Sequence, residues 1–181
     1  MTAFNVAGLL REPAGASRLV RLRDHYVTLG PDVELAGPID LDLQLLRTNR
    51  GIFARGTVSA SLRRICSRCA DPFVDEGTVA IAEEYVPSVD LETGAPLSIP
   101  EHDEGALSIT AQHEIELDPV LHDELALTEP MHPLCRPDCP GLCVACGGSL
   151  ADGAHDHGEP EIDPRLAGLA RLLDDDGIRR Q

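Results

Sequence analysis

Residues 39–65 read IDLDLQLLRTNRGIFARGTVSASLRRI, and this stretch decides the fold. Ile39, Leu41, Leu43 and Leu45 alternate with Asp40, Asp42 and Gln44. A period of two sends the aliphatic side chains to one face and the polar ones to the other, as in a half-buried strand. Asn49-Arg50-Gly51 reads as a turn. A second strand is predicted from Ile52 to Ile65, with Val58, Ala60 and Leu62 facing away from Thr57, Ser59 and Ser61. After Cys66–Cys69 and Asp71-Pro72, the run Phe73 to Val86 is a third. Long successive strands with short connections predict an antiparallel meander.

Outward from this meander the signals are shorter. Phe4 to Leu10 suits a strand or one helical turn, and Arg18 to Arg23 suits a strand. Residues 87–105 combine Pro, Gly, Asp and Glu with little periodicity and are expected to be a mobile acidic loop. Ala106 to Thr110 reads as one more strand. Asp118-Pro119 is expected to open a helix, with Asp118 as N-cap and Pro119 at the first helical position. Val120, Leu121, Leu125 and Leu127 would form its apolar side, and Pro130 and Pro133 would end it. Asp163-Pro164 is a second helix start, followed by Leu166, Leu169, Ala170 and Leu173. The expected class is α+β: an antiparallel β-rich core with a few short helices and a Cys/His zinc-binding C-terminal segment. The expected division is a core over residues 1–134, including the loop 87–105, and a zinc-binding segment with a C-terminal helix over 135–181. Shared metal ligands would pack the second on the first.

The chain has 181 residues, 43% hydrophobic and 25% charged, a composition that folds. Aromatic residues make up only 3%, so the core must be aliphatic and a base-stacking surface would be poor. The formal charge is −16, unevenly spread: residues 1–70 carry +4 and residues 71–181 carry −20. Such a balance argues against simple coating of nucleic acid. The plainest reading of the acidic part is a solvated surface. No apolar run approaches the roughly 18 residues of a membrane span, and Met1 to Leu10 does not read as a secretory leader. A cytoplasmic, reducing setting is therefore expected, in which cysteines serve as thiolate ligands more readily than as disulfides.

The six cysteines fall in close pairs: Cys66 and Cys69, Cys135 and Cys139, Cys143 and Cys146. His155 and His157 follow. A two-residue gap lets both sulfurs of a tight turn face one ion, and zinc takes four Cys or His ligands in a structural site. Eight such residues suffice for two closed sites, so one or two structural Zn2+ ions are expected. The expected pairing joins Cys66 and Cys69 to Cys135 and Cys139, and Cys143 and Cys146 to His155 and His157. One rival is a single site of Cys135, Cys139, Cys143 and Cys146 with Cys66 and Cys69 unligated. Another crosses the two C-x-x-C turns as a zinc ribbon. A redox pair at Cys66–Cys69 would want a strand-to-helix placement, whereas strands flank it here. No phosphate-binding Gly loop, G-x-S-x-G or H-E-x-x-H is present. His25, His102, His113, His122 and His132 read as surface residues.

Cys66-Ser-Arg-Cys69 followed by Pro72-Phe73 resembles the C-x-R-C-x-x-P-F element of the YceD family. Glu129-Pro-Met-His-Pro-Leu-Cys135 resembles that family's Pro-rich approach to a cysteine, and Ile115 to Asp118 its acidic helix. Cys139-Pro-Gly-Leu-Cys143-Val-Ala-Cys146-Gly147 is similar to its C-x-G-L-C-x-x-C-G core, and Asp163 to Leu169 to its C-terminal D-P-R-L-x-x-L helix. The departure is His155-Asp-His157, where many relatives carry Cys-x-Cys. The resemblance implies a bacterial or plastid protein needed for accumulation of large-subunit ribosomal RNA. Its role would lie in synthesis, processing or stability of 23S rRNA, without a known catalytic activity.

The charge balance and that role meet in two ways. The Arg-rich front could form a local basic face, with Arg63, Arg64 and Arg68 contributing to RNA contact from the strand end beside Cys66. Alternatively the acidic part engages a basic ribosomal protein or processing enzyme, so that the chain works as an adaptor. Expected partners are therefore large-subunit rRNA or its precursor, reached directly or through such a protein, with no membrane and no small-molecule substrate. The contrasting class is a zinc-dependent or thiol-redox enzyme.

Overall fold

A computed structural model of the chain describes residues 2–97, 107–153, 156–157 and 165. Two compact units divide it, Met1–Pro137 and Asp138–Gln181.

Among the described residues, the first unit holds all the strands. In chain order they are β1 (Ala3–Asn5), β2 (Ser17–His25), β3 (Ile39–Arg47), β4 (Ile52–Ile65), β5 (Pro72–Pro87), β6 (Leu107–Ile109) and β7 (Glu114–Glu116). Two helices accompany them, α1 (Ala7–Leu10) and α2 (Asp118–Ala126). Strands β2 to β6 form one sheet in chain order, and β1 pairs with β7 in a second, two-stranded sheet. The predicted meander is present: β2–β3, β3–β4 and β4–β5 are antiparallel. The odd-numbered residues Ile39 to Leu45 and the even-numbered Ile52, Ala54, Val58, Ala60 and Leu62 are buried, as the period of two requires. They join α1, Ile115, Leu117 and the buried side of α2 in one aliphatic core.

Gly56 on β4 pairs with Leu43 of β3 and faces the β3 backbone. A Cβ there would stand 1.9 Å from the carbonyl oxygen of Asp42, so only glycine fits.

Several expectations are corrected. Strand β6 pairs with β5 in parallel, not antiparallel. The connection from Pro87 to Leu107 is long enough to bring the chain back in the same direction, which a tight hairpin is not. Phe4–Leu10 is neither strand nor helix alone but parts of β1 and α1. In α2, Asp118 is already helical and Leu117 holds the cap position without a side-chain cap bond. The Asp118 carboxylate instead accepts from the Thr2 amide at 2.7 Å, tying the start of the chain to α2. Leu127 is 81% exposed, because the helix ends at Ala126 and Leu127 leaves the apolar stripe.

The first part of the presumed mobile loop is built. Asp90 Oδ1 accepts from the Glu92 and Thr93 amides and from Thr93 Oγ1, and Leu97 donates back to the Ser88 carbonyl. Leu91 packs against the core. Residues 98–106 lie outside the described set, as do His155 and the expected helix after Asp163 apart from Arg165.

In the second unit, Leu142 and Ser149 form a bridge, followed by a short 3-10 turn at Leu150–Asp152. The Ser149 hydroxyl accepts from the Ala151 amide at 3.2 Å.

Candidate metal centre

The two C-x-x-C stretches fold into the same turn. At the first, the Cys66 amide donates to the Asp71 carbonyl and the Ala70 amide to the Cys66 carbonyl, each at 2.9 Å. At the second, the Cys143 amide donates to the Gly148 carbonyl and the Gly147 amide to the Cys143 carbonyl, each at 2.8 Å. Both turns need a left-handed residue directly after the second cysteine. Gly147 takes it at φ 71°, but in the first turn Ala70 holds φ 59°. Glycine marks the second turn in sequence; alanine hides the first one's backbone demand.

The turns leave amide groups facing sulfur, which is how a thiolate is held without a neighbouring cation. The Cys66 thiol is lowered to about 6, first by the Cys135 and Cys69 backbone amides and less by that of Arg68, against a burial effect that raises it. Cys143 is lowered in the same way by the amides of Cys146 and Ala145. The Gly148 amide lies 3.4 Å from the Cys146 sulfur.

The Sγ atoms of Cys66, Cys69, Cys135 and Cys139 all lie within 4.8 Å of one another. Cys69 and Cys135 are 3.9 Å apart at sulfur. A disulfide would hold them at about 2.0 Å. Tetrahedral zinc, with Zn–S near 2.3 Å, separates its sulfurs by about 3.8 Å. The spacing therefore suits a shared ion, and four soft thiolates suit zinc. A second cluster brings Cys143, Cys146 and His157 within the same limit.

Strands β4 and β5 flank Cys66–Cys69, the placement that argued against a thioredoxin-type pair. Pro133 fixes the approach of the later cysteines, its carbonyl accepting from the Ser67 amide at 2.8 Å.

The three arginines expected beside this turn differ in setting. Arg64 is buried on the inner face of β4, its side chain only 5% exposed, and Nε donates to Asp75 at 2.9 Å. Its Nη2 donates to Thr128 Oγ1, and Glu129 lies 3.9 Å from Nη1. Arg63, one residue earlier, faces outward and pairs with Glu34 at 3.3 Å. Arg68 is exposed and reaches the Pro137 carbonyl at 3.4 Å. No local pattern marks Asp75, Thr128 and Glu129 as its partners, although the strand period already places Arg64 on the apolar face and implies a buried partner. Other front arginines also meet carboxylates: Arg21 and Arg23 share Asp42, Arg18 meets Glu12 and Arg50 meets Glu84.

No helix among the described residues is long and apolar enough to cross a membrane. Residues 54–173 match the family model described as large ribosomal RNA subunit accumulation protein YceD. Curated relatives include proteins named as uncharacterised from Mycobacterium tuberculosis and Mycobacterium bovis. Each is 36% identical over 138 residues, covering 75% of this chain and 62% of the relative. The chain thus matches less than two thirds of their length. A relative from Mycobacterium leprae, also named as uncharacterised, is 28% identical over 176 residues, covering 94% of this chain and 76% of its own length. No solved structure matches the chain. The match carries both C-x-x-C turns, α2 and the cysteines between them, and by it the chain belongs to the YceD family of large ribosomal RNA subunit accumulation proteins.

Proposed function

We propose that this protein is a non-enzymatic, cytoplasmic ribosome-biogenesis factor that supports synthesis, processing or stability of 23S rRNA. The family match over residues 54–173 carries the reading. The family's description names accumulation of an RNA and no reaction.

Structural zinc belongs to the same proposal. One ion would sit on Cys66, Cys69, Cys135 and Cys139, and a second on Cys143, Cys146, His155 and His157. Bound zinc would supply folding energy rather than a reactive water, since four protein ligands at each ion would leave no position open. The division into a β-rich core over 1–134 and a zinc-binding segment over 135–181 stands with it.

The adaptor form of the reading is favoured by the arginine pairing. With Arg18, Arg21, Arg23, Arg50, Arg63 and Arg64 each beside a carboxylate, the net charge of −16 has little opposing field on the β-sheet. A basic ribosomal protein or processing enzyme is the complementary partner. Direct contact with large-subunit rRNA or its precursor is the second reading, supported by the exposure of Arg63 and Arg68 beside the first turn; Arg64 would act there as structural support.

The test is capture of the full chain from cells, with bound RNA sequenced and bound protein identified across a salt series. Enrichment of 23S rRNA that depends on a basic protein is expected. Enrichment that persists with purified chain and RNA, and whose salt slope flattens in the Arg63→Ala, Arg68→Ala double variant, selects direct contact instead. No enrichment of large-subunit rRNA overturns the proposal.

A further inference from the structure

The two donor clusters share a turn but not their surroundings. Cys66, Cys69 and Cys139 are buried, at 1%, 9% and 3% exposure. In the other cluster Cys143 is half-buried, and Cys146 and His157 are exposed. The backbone around the second is short and local: the Leu142–Ser149 bridge and one 3-10 turn precede His157.

Zinc passes between ligands by attack of an incoming donor on the ion, so exchange needs a path from solvent to metal. Burial narrows that path at the four-thiol cluster, where three donors are buried and Cys135 alone is exposed. At the other, two of the three described donors face water. The charges differ as well. Four thiolates give a bound divalent ion a formal −2, held by inward-facing backbone amides, whereas two thiolates and a neutral imidazole leave it formally neutral. Two thiolates attract a dication less strongly than four, and an accessible centre gives it up to an incoming donor more readily.

We propose that Cys143, Cys146 and His157 form an exchangeable divalent-metal site, filled and emptied with the zinc activity of the solution, while the four-thiol cluster keeps its ion as long as the chain is folded. This rests on the metal reading above and extends it to regulation: occupancy of the second unit would follow available zinc while the β-rich unit stays intact.

The test uses the full chain loaded with two equivalents of zinc and mixed with a chromophoric chelator. One equivalent is expected to leave quickly and the other more slowly, on the order of ten-fold or beyond. Cys146→Ser should remove the fast phase and spare the slow one. Cobalt substitution of the parent chain assigns the phases independently of any variant. The slow ion should carry the stronger thiolate charge-transfer band of four sulfurs, the fast ion the weaker band of two. Release of both ions in one phase, or a fast phase that survives Cys146→Ser, overturns the inference and leaves the metal reading standing. A chain that binds no zinc overturns the metal reading itself.

Discussion

Arg64 on β4 and Asp75 on β5 meet diagonally across the hairpin, Nε to Oδ2 at 2.9 Å, on the same face as Leu62 and two residues before Cys66. Thr128, just past α2, accepts a second bond from the same guanidinium and passes its own hydroxyl to the Leu125 carbonyl at 2.6 Å. A single side chain thereby fastens the end of the hairpin to the end of the helix.

Arg64→Ala should therefore destabilise the fold by about 1–2 kcal/mol, since it removes a buried side chain and its bonds to Asp75 and Thr128, while the carboxylates it leaves are half exposed. Arg63→Ala, whose ion pair with Glu34 is exposed, should change stability by less than about 0.5 kcal/mol. Urea unfolding of the two variants separates them; equal effects would deny Arg64 its structural role.

Ala70→Gly should stabilise the chain, by up to about 1 kcal/mol, because it relieves an L-residue from φ 59° in the first turn. Ala70→Val should do the reverse, as a β-branched side chain tolerates that conformation worse. Melting temperatures of the metal-loaded proteins check both directions.

Gly56→Ala is expected to cost about 3 kcal/mol, because its methyl meets the Asp42 carbonyl and the strands must part. Gly77→Ala is the matched control. Nothing lies within 4 Å of a Cβ there, so it should leave stability level or raise it by about 0.5 kcal/mol.

The stability of the metal-stripped chain should rise with pH between about 6 and 9. Cys66 titrates near 6 when folded against an ordinary value of 9.0, so within that window the unfolded chain holds a proton the folded chain has released. The contribution is complete above the upper value and is lost as pH falls to the lower one. Unfolding midpoints measured across that range should show a shallower slope in Cys66→Ala. Identical slopes would mean that the backbone amides do not hold a thiolate there.

The meander was legible because Ile39 to Leu45 and Val58 to Leu62 obey one period on a long uninterrupted run. The cysteines that converge were legible from spacing alone. What the sequence concealed depends on contacts between distant residues. Nothing near Leu107 reveals that it joins β5 in parallel, and nothing near Asp118 reveals that its carboxylate serves the Thr2 amide. Asp90 looked like one acid in a solvated run, yet its carboxylate gathers three donors into a turn that seats Leu91 on the core. Arg64 read as a phosphate ligand by charge, and its strand parity carried the better information.

The pairing of β1 with β7 sets an order on folding during synthesis. Strands β2 to β5 meet through neighbouring hairpins and can zip as they leave the ribosome. Ala3 must wait for Glu116. Until then Val6, Leu9 and Leu10, all buried in the finished protein, have no β7 or α2 to cover them. Residues 3–10 are thus made before β2 to β5 yet placed after them, and a nascent chain halted before β7 presents an apolar segment of the kind holding chaperones recognise.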